Sequence, residues 1–379
     1  MTTDFQTVAD RVVELTRMLV RIPAPTDEEG ERAAVLADLW RQSGVSHVSL
    51  DEVGNVIGQL REGSVKTEGC LLLAAHMDTV FPRGIAHETK EDGDLLCGPG
   101  VGDNTVSLAV LSELGSILPP TTTCPFWISA TVGEEGLGNL RGITHLLAHP
   151  PATVSALIAL EGNYLGRVNT VGVGSRRWRV VLDGPGGHSW EEADHVSAVE
   201  VAAALIVLTT TAVRAAQREL SGRSTINIGQ VSGGESINSR ARSCWFEIDL
   251  RSDSAEAMAE LTDLVLRTIA DHPADVVSRV TDIGHRPAGA TQSADPLVAV
   301  AMEAAAKNGR AAQLTAASTD ANAAYALGIP AVTLGVAVGG DTHTEREWID
   351  VATIADGLRI LADTVVSYDA LKGSPCRPE

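Results

Sequence analysis

Cys70-Leu-Leu-Leu-Ala-Ala-His76-Met-Asp78 is the most informative stretch of this chain for its fold. The residues before His76 carry no charge and show no alternation of polar and apolar side chains. Such a run predicts a strand that is buried on both faces of a largely parallel sheet. His76 ends the run, and its ring could bind a metal through one nitrogen while Asp78 holds the other. Taken alone, the pair has a simpler alternative, which is a structural hydrogen bond without any metal.

Length and composition indicate a large folded protein. The chain has 379 residues, of which 44% are hydrophobic and 21% are charged, enough for one large domain or two. The net charge of −20 argues against a nucleic-acid partner and against an anionic membrane surface. The five cysteines are scattered and never spaced Cys-x-x-Cys, which favours reduced thiols over disulfides or a thiolate metal site.

The sequence shows neither a signal-peptide pattern nor a membrane-spanning run, which favours a cytoplasmic location. The first twenty residues carry acids and show helical periodicity in place of the apolar core of a signal peptide. No uncharged run approaches the ~18 residues that a membrane-spanning helix needs. We therefore expect a cytoplasmic protein that does not interact with a membrane.

Apolar runs alternate with helical segments over most of the chain. Strands are predicted near residues 47–51, 55–60, 70–76, 126–132, 154–160 and 331–338. Helices are predicted at residues 4–21, 28–42, 104–118, 137–147, 296–308, 319–327 and 351–367. This order is typical of an α/β domain with helices on both faces of a largely parallel sheet.

The pattern changes between about residues 172 and 287. Four strands are predicted there, at residues 177–182, 225–231, 244–250 and 275–280, with long helices at 196–220 and 254–271. The order β-α-β-β-α-β is that of a ferredoxin-like α+β sandwich, which can fold by itself. We therefore expect a small domain, residues 172–287, inserted into a larger one made of residues 1–171 and 288–379.

Four apolar strands of the larger domain run into a histidine or a carboxylate at their carboxyl ends. His76 ends one strand, Glu134 and Glu135 follow the next, Glu161 ends a third, and His343 follows the last. The glycine-rich loop 98–104 adds Asp103 between a strand and a helix. Ligands of open parallel sheets bind beyond the carboxyl ends of the strands, so these side chains are predicted to share one cleft.

Each of these residues also has a purely structural alternative. Glu134 and Glu135 could form a solvated turn, Glu161 could be a surface carboxylate, and His343 could be a loop histidine. Asp103 could cap the helix that follows it. Their common location favours a metal site, in which imidazole and carboxylate ligands suit Zn²⁺, with Mn²⁺ or Co²⁺ as alternatives. Two ions balance the charge better than one, which would leave some carboxylates crowded and uncompensated.

The motifs, in their order along the chain, resemble those of the M20 family of metallopeptidases, a clan of co-catalytic zinc hydrolases. They are His76-x-Asp78, Gly-x-Gly-x-Gly-Asp103-Asn, Glu134-Glu135, Glu161 and His343. The resemblance covers nearly the whole chain. It implies a three-layer zinc-peptidase catalytic domain in residues 1–171 and 288–379, and it makes the inserted domain, residues 172–287, a lid and dimerisation domain.

The resemblance also implies a role for each metal ligand and for the base. Asp103 would bridge two zinc ions. His76 and Glu161 would complete one site, while Glu135 and His343 would complete the other.

Two more residues have implied roles in catalysis. Asp78 would hold the ring of His76, and Glu134 would be the general base that carries a proton from the attacking water to the leaving amine. The peptide bond between Asp103 and Asn104 would be cis.

Three residues of the inserted domain resemble family residues that contact the substrate. His188 corresponds to a histidine that reaches into the active site of the partner subunit and steadies the oxyanion, so a homodimer is implied. Asn238 and Arg251 correspond to residues that bind the free carboxylate of the substrate. The alternatives are a turn histidine and a surface arginine. The segment 318–322 resembles a loop that lines the cleft and has no assigned chemistry.

We therefore expect a di-zinc hydrolase that cleaves an amide bond of a small peptide or an N-acyl amino acid with a free carboxylate. Glu161 favours the carboxypeptidase and deacylase branches over the dipeptidases, which often have Asp at this position. An M20 dipeptidase or an aminopeptidase-like enzyme is the alternative within the family. A metal-dependent binding protein without catalysis is the alternative outside enzymes.

Overall fold

The computed structural model describes residues 4–64 and 69–373. The chain divides into two compact units, one within Met1–Gly172 and Ala290–Glu379 and the other Val173–Gly289. The first division lies one residue, and the second two residues, beyond the boundaries expected from sequence. The roles of lid and dimerisation domain stay predictions.

The larger unit begins with the helices and strands that the sequence predicts and with three further strands, β4, β5 and β8, that it does not predict. They are α1 (Phe5–Val20), α2 (Gly30–Gln42), β1 (Ser46–Leu50), β2 (Val56–Arg61), β3 (Cys70–His76), β4 (Lys90–Asp92), β5 (Leu95–Cys97), α3 (Val106–Ile117), β6 (Phe126–Thr131), α4 (Arg141–Ala148), β7 (Val154–Glu161) and β8 (Arg167–Gly172).

The smaller unit follows, and the chain then returns to the larger one. The smaller unit contains β9 (Gly174–Asp183), β10 (Gly187–His188), α5 (Ala198–Ala216), β11 (Ser224–Gly233), β12 (Ser239–Arg240), β13 (Ser243–Ser252), α6 (Ala255–Ala270) and β14 (Val277–Arg286). The remaining elements are β15 (Gly289–Ala290), α7 (Pro296–Lys307), β16 (Gln313–Ala317), α8 (Ala321–Ala326), β17 (Ala331–Gly335), β18 (Val338–Gly340), β19 (Trp348–Asp350) and α9 (Ile354–Gly373).

The central sheet of the larger unit confirms the expected three layers. Its strand order is β1-β2-β6-β3-β7-β17-β8-β15, with β16 paired to β8. The four inner strands β6, β3, β7 and β17 are parallel, whereas β1, β2 and β8 join the sheet antiparallel. The sheet is therefore mixed at its edges and parallel where the functional residues lie.

Strand β3 lacks polar alternation because helices cover both of its faces. Leu71, Leu73 and Ala75 belong to the core that includes α1, α2, α3, α7 and α9. Leu72 and Ala74 belong to a second core formed with α4 and α8. Every residue of β3 is buried, so each side chain contributes apolar burial to one layer or the other.

A second, antiparallel sheet of the larger unit was not predicted from the sequence. Its order is β18-β19-β5-β4. It joins segments from the middle and the end of the chain, since Trp348 pairs with Cys97 and Asp350 with Leu95. Strand β5 leads directly into the loop with Asp103, and β18 and β19 flank the loop with His343. This sheet therefore holds two predicted site loops beside each other.

The smaller unit has the predicted ferredoxin-like topology. Its main sheet has the order β11-β13-β9-β14, and all neighbouring strands are antiparallel. The apolar sides of α5 and α6 share a core with β9 and β13. The short strands β10 and β12 form a separate antiparallel pair.

Helix α5 is apolar enough, by length and composition, to cross a membrane, and 33% of its most apolar window is buried. In the smaller unit its buried face, which includes Val201, Leu205 and Val213, belongs to the same core as the sheet. This packing is that of a core helix in a two-layer unit. The expected cytoplasmic location stays a prediction.

The cysteines in the described residues carry free thiols, as expected. They are Cys70, Cys97, Cys124 and Cys244. Burial raises the pKa of the Cys70 thiol to about 11, which disfavours the reactive thiolate. Cys376 lies outside the described residues.

Candidate metal centre

His76 ends β3 with its ring oriented by the chain that follows. Its Nδ1 lies 2.9 Å from the backbone oxygen of Asp78. A carbonyl oxygen can only accept a hydrogen bond, so Nδ1 carries a hydrogen and Nε2 is the nitrogen that a metal would bind once its proton is lost. Nε2 lies 3.0 Å from Oδ1 of Asp103. The ring nitrogen suited to a metal therefore points at the predicted bridging carboxylate.

Asp103 contacts two histidines from distant parts of the chain. Its Oδ1 faces His76, and its Oδ2 lies 3.1 Å from Nε2 of His343. The peptide bond between Asp103 and Asn104 is cis, as the family resemblance implied. The Asn104 side chain donates to the backbone oxygen of Leu160 at 2.7 Å, which ties this turn to the end of β7. One carboxylate is thus placed between two imidazoles.

Glu135 and Glu161 complete the two ends of this cluster. Oε1 of Glu135 lies 3.2 Å from Nε2 of His343, and Oε2 of Glu161 lies 3.9 Å from Nε2 of His76. Ligand atoms of His76, Asp103 and Glu135 all lie within 4.8 Å of one another. The five predicted ligands therefore converge around Asp103, with Glu161 next to His76, Glu135 next to His343, and Glu135 also near His76.

The charges of the cluster fit divalent cations. Burial raises the pKa of Glu161 well above its usual value, and the negative charges of Asp103 and Glu134 add to the effect. The carboxylate of Asp103, and then that of Glu135, raise the pKa of His343 to about 10. Protons on imidazole thus compensate for crowded carboxylates, a role that metal cations fill when histidine binds them as the neutral base. The nitrogen and oxygen donors, without thiolate, suit zinc, manganese or cobalt.

Asp78 lies next to the ring of His76, as expected, and also contacts the turn that contains Glu134 and Glu135. Oδ1 of Asp78 lies 3.6 Å from Nδ1 of His76, whereas the backbone oxygen of Asp78 lies 2.9 Å from the same nitrogen. The two carboxylate oxygens accept the backbone N–H groups of Glu134 and Glu135, each at 2.9 Å. The hydroxyl of Thr26 donates to the same carboxylate at 2.9 Å. Asp78 therefore fixes the turn that carries the predicted base.

Glu134 lies inside the same cluster. Its side chain is buried, and its negative charge contributes to the raised pKa values of both His76 and Glu161. Asp78 holds the backbone N–H of Glu134 at 2.9 Å.

The three site residues predicted in the smaller unit do not come together. The backbone N–H of Ser189 donates to the backbone oxygen of Asn238 at 2.9 Å, and His188 pairs with Ser239, so His188 and Asn238 are neighbours. Arg251 lies near the opposite end of β13 and donates to Asp249 at 2.8 Å. About eight residues of extended strand, roughly 26 Å, separate Arg251 from the start of β13, where His188 and Asn238 lie.

Two buried carboxylates near the cluster were not assigned a role from the sequence. Oε1 of Glu347 accepts the backbone N–H groups of Gly102 at 2.7 Å and Asp103 at 2.5 Å. Burial, and then the charge of Asp103, raises the pKa of Glu347 to about 8. Asp320, in the segment 318–322, accepts the hydroxyl of Thr131 at 2.6 Å. The burial of Glu347 and of Asp320 could not be predicted from sequence periodicity, because both residues lie in short irregular segments.

Comparison with known proteins identifies the family of this chain. Residues 72–367 match the model of peptidase family M20/M25/M40. The chain is 26% identical over 361 residues to succinyl-diaminopimelate desuccinylase of Corynebacterium glutamicum, covering 92% of this chain and 94% of that protein.

Solved structures share the fold. Aminopeptidase PepT from Bacillus cereus superposes with a TM-score of 0.78 at 24% identity, covering 96% of this chain and 99% of that one. A Bacillus subtilis protein described as a dinuclear metal binding peptidase from the M20 family superposes with a TM-score of 0.69 at 16% identity, covering 96% and 99%.

The family match spans most of the chain and includes each of the motifs around Asp103, Glu134, Glu161 and His343. The resemblance inferred from the sequence is therefore confirmed. The chain belongs to peptidase family M20/M25/M40 and is an amide-bond hydrolase of that family.

Proposed function

We propose that this hydrolase uses two divalent metal ions to cleave an amide bond next to a free carboxylate in a small peptide or an N-acyl amino acid. The observation that carries the proposal is the carboxylate of Asp103, which directs one oxygen to His76 and the other to His343. A single-ion site would not need a carboxylate shared between two imidazoles.

The residues around Asp103 supply a ligand set for each ion. His76 and Glu161 would hold one ion, and Glu135 and His343 would hold the other, with Asp103 common to both. When bound, the ions would provide Lewis acidity for the scissile carbonyl and lower the pKa of the attacking water. We propose zinc as the metal, with cobalt or manganese as alternatives of the same donor preference.

Glu134 would act as the general base. Its carboxylate would take a proton from the attacking water and deliver that proton to the nitrogen of the leaving amine. Two features support this role: Glu134 is buried in the cluster, and the backbone of its turn is held by Asp78. A carboxylate that is fixed in this way needs little rearrangement to reach the reacting atoms.

The free carboxylate of the substrate would be bound by Arg251 and Asn238, with His188 stabilising the oxyanion. The separation of Arg251 from the other two residues means that one chain cannot supply all three to one substrate. The proposal therefore includes a homodimer, in which the partner subunit's His188 and the partner subunit's Asn238 complete the site.

The surface of the smaller unit supports a dimer. Strand β11 is an edge strand of its sheet, so it has free backbone groups that a second copy could pair with. Val207 and Leu208 of α5 are 62% and 54% exposed, although the helix is strongly apolar. An apolar helix face next to a free strand edge is typical of an interface between subunits.

The substrate class rests on a relative and on the residues of the site. The similar protein from Corynebacterium glutamicum is a desuccinylase, whose name denotes removal of a succinyl group from succinyl-diaminopimelate. The similar structure from Bacillus cereus is an aminopeptidase, so a peptide substrate is the alternative to an N-acyl amino acid. Arg251 favours a substrate with a carboxylate beside the cleaved bond, because its planar fork pairs with such a group.

A substrate panel tests the proposal. N-acetyl and N-succinyl amino acids, mixed dipeptides, and the C-terminal carboxamide of each compound would be incubated with zinc-loaded protein, with and without a chelator. We expect chelator-sensitive hydrolysis of the free acids and at least ~10-fold slower hydrolysis of the carboxamides. Equal rates for acids and carboxamides would contradict carboxylate recognition. Tight metal binding without any hydrolysis would favour a non-catalytic binding protein.

A further inference from the structure

Glu347 connects the two loops that supply the central ligands. Its side chain is fully buried, at 0% exposure. One of its oxygens accepts the N–H groups of Gly102 and Asp103, and the backbone N–H of His343 faces the same carboxyl group. A single carboxylate thus interacts with the backbone of the bridging aspartate and with the backbone of a histidine that contacts it.

The main chain of Glu347 strengthens this connection. Its backbone oxygen accepts the N–H of Gly98 at 2.8 Å, at the start of the loop that leads to Asp103. Its backbone N–H donates to Thr344 at 3.0 Å, within the loop of His343. Strand β19 continues from Glu347 and pairs with β5. Both loops are therefore fixed to the same residue from more than one direction.

The loop of His343 needs such an attachment. Residues 341–346 are all exposed, and both Asp341 and His343 have positive φ values, of 54° and 64°. Left-handed backbone costs about 1 kcal/mol or more for residues other than glycine. An exposed loop with this conformation would otherwise relax, and the Nε2 of His343 would leave its place near Asp103.

We propose that Glu347 is a positioning residue that sets the spacing between Asp103 and His343, and with it the geometry of the metal site that these residues share. The inference rests on the proposed two-metal function. Glu347 touches neither substrate nor metal in this account. It acts by holding the backbone of Asp103 and His343, as outer hydrogen-bond partners of metal ligands do.

Variants of Glu347 and of a neighbour test the proposal. Glu347→Ala removes the acceptor. Glu347→Gln keeps one acceptor oxygen but places an NH₂ group, itself a donor, near the backbone N–H donors. Glu345→Gln is the matched control, because Glu345 lies in the same loop and is exposed. Gly102→Ala disturbs the same contact from the other side, since its Cβ would lie 3.1 Å from Oε1 of Glu347.

Zinc affinity, measured by competition with a chelator, is the first readout. The second readout is the visible spectrum of the cobalt-substituted protein, which reports ligand geometry. The third is the melting temperature of the metal-free chain, which reports folding. For Glu347→Ala we expect zinc affinity to fall about 10- to 100-fold, with a changed cobalt spectrum. Glu347→Gln and Gly102→Ala should show the same changes to a smaller extent, and Glu345→Gln should match the wild type.

The outcomes separate this inference from the proposed function. If Glu347→Ala is folded and keeps wild-type zinc affinity and cobalt spectrum, the inference is wrong and the two-metal function stands. If Glu347→Ala does not fold, Glu347→Gln and Gly102→Ala decide by the same readouts. If the wild-type chain itself binds no divalent cation, both the inference and the proposed function are wrong.

Discussion

Oδ2 of Asp103 lies 3.1 Å from Nε2 of His343, although 240 residues separate the two in the chain. Two features of the fold make this contact. The parallel strands β3 and β7 place their carboxyl ends together around Asp103, and the small sheet pairs β5 with β19 on either side of the two loops. The contact therefore depends on both sheets of the larger unit.

Glu134→Gln is expected to lower kcat at least ~10²-fold while leaving zinc stoichiometry unchanged, because the variant loses the proton acceptor but no ligand. Hydrolysis rates and metal content would be measured on the same preparation. Glu345→Gln serves as a control, since that side chain is exposed in a loop of the same unit. Ordinary turnover by Glu134→Gln with full metal content would exclude Glu134 as the base.

Asp78→Ala is expected to lower kcat more than it weakens substrate binding. The variant leaves the N–H groups of Glu134 and Glu135 without their acceptor, so the turn with the proposed base loses its fixed position. Thr26→Val is the graded control, because it removes one donor to Asp78 and keeps the carboxylate. We expect Thr26→Val to retain most of the activity, measured as kcat and KM separately. Equal losses in the two variants would contradict this role of Asp78.

Arg32→Met is expected to destabilise the protein by about 3 kcal/mol or more. Arg32 is 1% exposed, and its guanidinium donates to the backbone oxygens of Leu19, Ile22 and Met77. The variant would leave these buried acceptors unpaired next to the residues that carry His76 and Asp78. The free energy of unfolding in urea would be compared with that of Arg41→Met on the same helix. Arg41 is exposed, and its loss should cost within about 0.5 kcal/mol.

Replacing Val207 and Leu208 together by Glu is expected to give monomers, because charge on this exposed face of α5 opposes burial in an interface. Sedimentation would report the assembly state, and hydrolysis would be measured in parallel. Leu327→Glu is the control, since Leu327 is 60% exposed in the larger unit. We expect the monomer to lose most of its activity. A fully active monomer would remove the role given to the partner subunit's His188.

The sequence was most informative where packing imposes a regular pattern. The uncharged run before His76 predicted β3 because a strand between two layers of helices has no polar face. Four of the five predicted ligands, His76, Glu135, Glu161 and His343, could be placed together because each follows such a strand. The order of elements in residues 172–287 likewise indicated the ferredoxin-like unit, because its strands and helices are long enough to show their periods.

The remaining features could not be predicted from the sequence, because their strands are too short to show a pattern or because they depend on strand register. Strands β5, β18 and β19 have three residues each, too few for a periodic pattern. The burial of Glu347 follows from that small sheet, so it was not foreseen. The separation of Arg251 from His188 depends on the length and register of β13, which no local motif encodes.

Metal titration of the metal-free chain tests the central claim most directly. Zinc binding would be followed by calorimetry and elemental analysis for the wild type and for Asp103→Ala. The account predicts two zinc ions per chain in the wild type and a loss of affinity for both in the variant, because Asp103 is shared. One zinc ion per chain, or two ions that bind Asp103→Ala as tightly as the wild type, would contradict it.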